Sequence, residues 1–234
     1  KAEVLYKELI TLFPERSDYH FTLAEAYLYQ GKIKEALEVY DAIEKILGPS
    51  TDLIVHKHKL YLRLGEDEKA IAEIQKLIDQ NPANIHFYGL LADLYENEGN
   101  DSKALEIYNK IVKIDPSNGT VHLSLYEYYR YHGNQDKALS ELTLAFENST
   151  VDIDTKMEIM LQFFTNSERN EKVKAQAYGL ANILIDVHAN EAKSFSMYGD
   201  FLSRDGKLKE ALQMFKKAAD LDTGKFPIWS QIVF

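Results

Sequence analysis

Apolar and polar residues alternate along the chain with the period of an amphipathic helix, most clearly between Ile85 and Asn118. A first apolar stripe ends at Gly99, and a second one ends before Pro116. The residues of the first stripe are Tyr88, Leu91, Ala92 and Tyr95. The residues of the second stripe are Ala104, Ile107, Tyr108, Ile111, Val112 and Ile114. Because three-and-four spacing places residues on one helical face, the stretch predicts two antiparallel helices joined by a tight turn.

The same pattern recurs along the chain with a fixed period. Each turn glycine follows a tyrosine by four residues and precedes an alanine by five residues. The glycines, 34 residues apart, are Gly31, Gly65, Gly99 and Gly133. The tyrosines are Tyr27, Tyr61, Tyr95 and Tyr129, and the alanines are Ala36, Ala70, Ala104 and Ala138. Glycine provides the left-handed backbone that ends a helix, alanine lets the second helix approach closely, and tyrosine fills the space between helices.

A helix–turn–helix unit with this period and residue grid resembles the tetratricopeptide repeat (TPR) family over nearly the whole chain. The resemblance implies an all-α, right-handed superhelical solenoid of antiparallel helix pairs, which we interpret as one array over residues 1–234. The predicted segments are 2–16 (second helix of a truncated repeat), 17–50, 51–84, 85–118 and 119–151 (regular repeats), 152–191 (irregular repeat with an insertion), 192–224 (a repeat) and 225–234 (start of a truncated repeat).

Two regular repeats depart from the grid. Lys57 and His58 stand where Leu and Ala stand in the first and third repeats. Tyr126 replaces the small residue expected beside the helix crossing, so we expect the two helices to be pushed apart there. Either the helices repack against a neighbour, or a widened groove exposes Tyr128 and Tyr131 for contact.

The fifth unit is longer than the others. Gly133 and Gly206 lie 73 residues apart, which is five more than two repeats. The apolar pattern predicts helices near 152–166 and 171–188. We therefore assign the surplus to the turn, Thr165–Val173, and expect this segment to protrude as a loop.

Composition and motifs narrow the possible functions. The net charge of −10 argues against binding to nucleic acid or to an anionic membrane surface. The chain has no cysteine and no apolar run near the roughly 20 residues that span a bilayer, so cytoplasmic and exported locations both stay open. No phosphate-binding or nucleophile motif occurs, and we expect neither a cofactor nor a metal. His20 and His122 occupy packing positions, where we expect core histidines.

The first helices are the predicted binding surface, because by resemblance to the family they line the concave side of the array. The candidate groove residues are Phe21, Glu25, Tyr29, Lys59, Arg63, Asp93, Asn97, Glu127, Arg130, Tyr131, Asp200 and Arg204. The position six residues before each turn glycine is mostly acidic, which favours a protein or peptide partner with Lys or Arg beside apolar anchors. Alternatively, the acidity only keeps the array soluble.

These observations predict a non-enzymatic protein–protein interaction scaffold. One alternative is a regulatory or substrate-recruiting segment of a larger enzyme. Another is a self-associating spacer, because Phe226, Trp229 and Ile232 indicate a further first helix with an open apolar face at the C-terminal end.

Overall fold

The computed structural model describes residues 2–168 and 170–222, and all regular secondary structure within these ranges is α-helical. The helices are α1 Ala2–Leu12, α2 Ser17–Tyr29, α3 Ile33–Leu47, α4 Thr51–Arg63, α5 Asp67–Gln80, α6 Ile85–Asn97, α7 Asp101–Ile114, α8 Gly119–Tyr131, α9 Gln135–Glu147, α10 Ile153–Asn166, α11 Glu171–Val187, α12 Ala192–Arg204 and α13 Leu208–Leu221. They form the consecutive pairs that the periodicity predicts. The predicted helix containing Phe226, Trp229 and Ile232 lies outside the described residues.

A left-handed glycine forms the turn between the two helices of each regular pair. In the reference pair, Gly99 has φ +69° and the next amide, Asn100 N, donates to Tyr95 O at 2.7 Å. The Asn100 side chain accepts a hydrogen bond from Lys103 N at 3.3 Å, which satisfies one of the free amides at the start of α7. The corresponding turn glycines with positive φ are Gly31, Gly65, Gly133 and Gly206. The predicted role of these glycines is confirmed.

Small and aromatic side chains fill the space between paired helices as predicted. The second-helix alanines are at most 2% exposed, namely Ala36, Ala70, Ala104, Ala138 and Ala211. The grid tyrosines are buried or half-buried. A lysine four residues after the turn glycine lies over the tyrosine ring in three pairs, as with Lys103 at 4.9 Å from the Tyr95 centroid. In these contacts the ammonium group covers the face of the tyrosine ring.

The helices group into two compact units, Lys1–Ile114 and Asp115–Phe234, which we call unit 1 and unit 2. The unit 1 core contains a cluster of α2, α3 and α4 residues around Tyr40 and Leu53. The unit 2 core contains a cluster around Phe146 and Met160 that extends to α12. Within the described ranges, no helix combines the length and the apolar character needed to cross a membrane.

The surplus of the fifth unit does not form the predicted protruding loop. Helices α10 and α11 lie close to the predicted ranges, and only four residues, 167–170, separate them. Compared with the pair α6–α7, the turn is one residue longer, α10 is one residue longer and α11 is three residues longer. Ser167 is buried, and Asn170 caps α11 by accepting from Lys172 N and Val173 N. Ala177 is followed by ten residues of α11, as Ala104 is by ten residues of α7, so the added residues of α11 lie at its start. The surplus therefore lies within Thr165–Val173, but the predicted loop is wrong, because most of the added residues extend the two helices.

Tyr126 follows the repacking alternative rather than opening the pair to solvent. Its side chain is 7% exposed and packs in the unit 2 core with Ala138 and Leu142. Tyr128 is half-buried against Tyr129, so it does not form the exposed aromatic pair expected in a widened groove.

Candidate functional site

Three first helices of unit 1 present side chains at matching register positions. Six residues before the turn glycine, α2, α4 and α6 carry Glu25, Lys59 and Asp93, and all three are exposed. Two residues before the glycine, the same helices carry Tyr29, Arg63 and Asn97, which are also exposed. We call these six residues the unit 1 first-helix surface. Tyr29 is 96% exposed, so nearly the whole ring is left in water.

Phe21, the remaining candidate in unit 1, has a different environment. Its ring is half-buried and lies 5.6 Å from the Tyr40 ring and 5.9 Å from the His56 ring. Tyr40 and His56 are themselves stacked at 5.6 Å. Burial raises the pKa of Tyr40, and the Glu25 carboxylate adds to this effect. Phe21 is therefore part of the aromatic packing among α2, α3 and α4.

The α8 candidates of unit 2 form a more neutral surface. Arg130 Nε donates to Glu127 Oε2 at 2.9 Å, and both side chains are about half exposed. Tyr131 is 83% exposed and lies edge-on to His132 at 5.2 Å. The His132 ring stacks on Tyr128 at 4.2 Å. Because Arg130 offsets the Glu127 charge, this surface offers an aromatic contact rather than an acidic one.

The α12 candidates are less accessible than the sequence suggests. Asp200 and Arg204 are half-buried. The Arg204 guanidinium lies over the rings of Phe164 at 4.6 Å and Phe201 at 5.2 Å. Its Nη1 donates to Phe164 O at 2.6 Å and to Ser167 Oγ at 3.0 Å. Arg204 is thus engaged in holding the end of α10.

A buried charge network in unit 1 was not predicted from the sequence. Lys57 is 2% exposed, and its Nζ lies 2.7 Å from Asp41, 2.5 Å from Glu44 and 2.9 Å from Glu73. Burial alone lowers the pKa of Lys57, but the hydrogen bonds to these carboxylates outweigh it and raise the pKa. The available signal was a lysine at a register position that is apolar in neighbouring repeats.

Three first helices carry a buried polar side chain eleven positions before the expected turn, and each of these side chains binds a main-chain carbonyl that precedes it in the sequence. His20 and His122 are buried, as predicted, and their Nε2 atoms lie 2.9 Å from Pro14 O and 3.0 Å from Pro116 O. Lys156 lies 34 residues after His122 and is fully buried. Its Nζ donates to main-chain carbonyls at the end of α9. The two histidines bind turn carbonyls and Lys156 binds carbonyls at a helix end, so all three side chains have structural roles.

Within residues 2–168 and 170–222, no group of three or more His, Cys, Asp or Glu is arranged to hold a metal ion. The network around Lys57 consists of ion pairs that satisfy one another.

Comparisons with known proteins identify the repeat. Three sequence profiles described as tetratricopeptide repeats match residues 61–126, 1–50 and 192–224, together more than half of the chain. No curated protein matches the sequence.

Two solved structures are similar to the chain over most of its length. A tetratricopeptide repeat protein from Parabacteroides merdae ATCC 43184 shares 19% identity at a TM-score of 0.51, covering 98% of this chain and 89% of its own. The C-terminal part of a TPR repeat-containing protein from Cytophaga hutchinsonii shares 15% identity at a TM-score of 0.57, covering 99% and 93%. These likenesses show a shared fold. The matched residues include the left-handed turn glycines Gly31, Gly65, Gly99 and Gly206, and the chain belongs to the tetratricopeptide repeat family.

Proposed function

We propose that this chain is a non-enzymatic protein-binding module, and that its unit 1 first-helix surface holds a peptide segment combining Lys or Arg with apolar side chains. The observation that carries the proposal is the exposed ring of Tyr29 beside the acidic register position of Glu25. An almost fully exposed tyrosine can bury a large apolar area on contact with a partner, while its hydroxyl keeps a hydrogen bond.

The charge pattern supports a basic partner with a defined register. Glu25 on α2 and Asp93 on α6 are exposed acids, whereas α4 between them in the chain carries Lys59 and Arg63. Partner cations are therefore expected opposite α2 and α6, and a partner acid is tolerated opposite α4. Complementary charges of this kind set orientation and association rate more than affinity, so the apolar anchors must supply most of the binding energy.

Selection of peptides from a random-sequence display library tests this proposal. The parent protein is expected to enrich peptides with Lys or Arg next to Leu, Phe or Tyr. A Glu25→Lys, Asp93→Lys variant should lose these peptides. An Asp79→Lys, Glu106→Lys variant is the matched control, because it makes the same charge change at exposed positions of the second helices α5 and α7.

The enriched peptides also provide a quantitative test. Their affinity should fall with added salt, because exposed charges are screened beyond about 8 Å at physiological ionic strength. A Tyr29→Ser variant should weaken binding at every salt concentration, since it removes apolar contact rather than charge. Equal enrichment by the parent and the Glu25→Lys, Asp93→Lys variant would show that the partner binds elsewhere.

A further inference from the structure

Unit 2 contains a cavity that is separate from the unit 1 first-helix surface and includes one of the α8 candidates, Arg130. Its volume is about 310 Å³, and it lies among α8, α9, α10 and the start of α11. Its walls are apolar side chains of all four helices with a polar rim. The apolar wall contains Tyr126, Leu139, Leu142, Phe163 and Val173. Since small-molecule sites typically begin near 300 Å³, the space is sufficient for a small organic ligand.

The cavity coincides with both irregular features of unit 2. Tyr126 provides one wall at the register position that holds Ala24, Ala92 or Gly199 in other pairs. The lengthened pair α10–α11 provides Phe163 and Val173. Tyr126 and the lengthened pair α10–α11, which depart from the repeat pattern at two separate places in the sequence, therefore line the same cavity.

The charge of the lining differs from that of the chain. The net charge is −10, yet none of the described lining residues is Asp or Glu. Arg130 and Lys172 contribute two cations, and Gln135 and Gln176 contribute amides. A ligand in this cavity therefore meets hydrogen-bond donors and positive charge at the rim and apolar carbon inside.

Both cations have acidic neighbours that a ligand can replace. Arg130 pairs with Glu127, and Lys172 Nζ lies 3.4 Å from Asp136 Oδ1. The side chains of all four residues are at least half exposed. Exposed ion pairs contribute little free energy, so turning either cation toward the cavity costs little.

We infer that the cavity binds a small amphiphilic monocarboxylic acid. The apolar body of the ligand lies between Tyr126 and Phe163, and its carboxylate pairs with Arg130 and Lys172. A guanidinium and an ammonium both favour a carboxylate, and an amine at the same place would be repelled. The inference is independent of the peptide surface on unit 1.

Calorimetric titration with 4-phenylbutanoate, octanoate and 4-phenylbutanamide tests the inference. The first and third ligands have the same apolar body and differ in the charge of the head group. We expect 4-phenylbutanoate to bind about tenfold more tightly than the amide, as for a hydrogen bond that gains a full charge. In NMR spectra, the acid should shift the amide signals of Leu139 and Val173.

Variants at the rim and inside the cavity separate the two parts of the site. Arg130→Gln and Lys172→Gln should each reduce the affinity for the acid toward that for the amide. Lys137→Gln is the control, because it removes a cation of α9 that does not line the cavity. Leu139→Trp should fill the space and abolish binding of both ligands, and its circular dichroism spectrum should match the parent.

Four results would overturn the inference. Equal affinity for acid and amide would remove the role of the cations. An unchanged acid affinity in both rim variants would do the same. Failure of both acids to bind, or binding that persists in the folded Leu139→Trp variant, would show that the cavity is not the site.

Discussion

Lys57 Nζ lies 2.9 Å from Glu73 Oε1 inside unit 1, where the two side chains are 3% and 7% exposed. Lys57 belongs to α4 and Glu73 to α5, while two further carboxylates, Asp41 and Glu44, approach from α3. Lys76 completes the group by pairing with Glu44 at 2.9 Å and Glu73 at 3.0 Å. A buried lysine is tolerated here because carboxylates replace the water that it loses.

Lys57→Met should be strongly destabilising. It removes the buried cation that Glu44 and Glu73 share and leaves the two carboxylates with Lys76 alone, which cannot neutralise both. Breaking a buried ion pair costs about 3–5 kcal/mol, and we expect a loss near the lower end of this range. Urea denaturation gives the free energy of unfolding. Lys69→Met is the control, because the Lys69–Glu66 pair is exposed and its loss should cost no more than about 1 kcal/mol. Similar losses in the two variants would contradict the network.

The same network should make unit 1 sensitive to acid. Burial raises the pKa of Glu44, but hydrogen bonds from Lys57 and Lys76 outweigh burial and hold the pKa below its ordinary value of 4.5. The stabilisation by Glu44 is therefore complete above pH 4.5 and is lost as the pH falls through the lowered pKa. Denaturation between about pH 6 and pH 3 should show a shallower loss of stability in Glu44→Gln than in the parent. Parallel pH profiles would exclude this role for Glu44.

The fold was predictable because its determinants are local and repeated. The left-handed turn at Gly99 and the close helix approach at Ala104 depend on residues a few positions apart. The same glycine and alanine therefore recur at the same spacing in each regular repeat. The surplus of the fifth unit could be placed within Thr165–Val173 by counting from both sides, but its conformation could not be predicted, because an apolar stripe continues equally through a longer helix or a longer turn. The cap at Asn170 was the available signal for the start of α11.

The positions of the candidate residues on their helices were predictable from the sequence, but their contacts with other helices were less so. Glu25 and Asp93 could be assigned to a shared position from the period alone, and both are exposed. The engagement of Arg204 depends on Phe164, forty residues away on α10, and no local pattern reports such a contact. The partners of Lys57 likewise come from neighbouring helices.

Two helical glycines should respond to alanine in opposite directions. A Cβ added at Gly199 would lie 2.5 Å from Phe215 Cε1, so Gly199→Ala should force the ring aside and cost about 1–3 kcal/mol. A Cβ at Gly179 meets no atom within 4 Å. Because alanine favours a helix interior over glycine, Gly179→Ala should stabilise unit 2 by about 0.5–1 kcal/mol. Thermal denaturation measures both, and a gain in stability for Gly199→Ala would contradict the close packing of α12 and α13.

Arg204→Lys should destabilise unit 2 even though the charge is kept. Lysine cannot reproduce the planar stacking on Phe164 and Phe201 together with the hydrogen bonds to Phe164 O and Ser167 Oγ. We expect a loss of about 1–3 kcal/mol in urea denaturation. Arg130→Lys, on the exposed face of α8, should change stability by less than about 1 kcal/mol. If the two substitutions have equal effects, Arg204 does not hold the end of α10.

Lys156 should make unit 2 more stable at alkaline pH. Its Nζ lies 2.9 Å from Phe146 O, 2.8 Å from Asn148 O and 2.7 Å from His188 Nε2, and burial lowers its pKa to about 8. Between pH 8 and its ordinary pKa of 10.5, the unfolded chain keeps a proton that the folded chain has released. The unfolded state then binds more protons, so stability rises with pH. The neutral amine can still donate to both carbonyls and accept from the His188 ring.

The measurement for Lys156 is the difference between two pH profiles. The free energy of unfolding of the parent and of Lys156→Met is determined from about pH 7.5 to pH 10. Tyrosines titrate in both proteins, so subtracting one profile from the other isolates Lys156. The parent should gain stability relative to the variant as the pH rises above about 8. A difference that is constant with pH would mean that Lys156 keeps its proton in the folded protein, and that the helix-end carbonyls alone are enough to hold the charge.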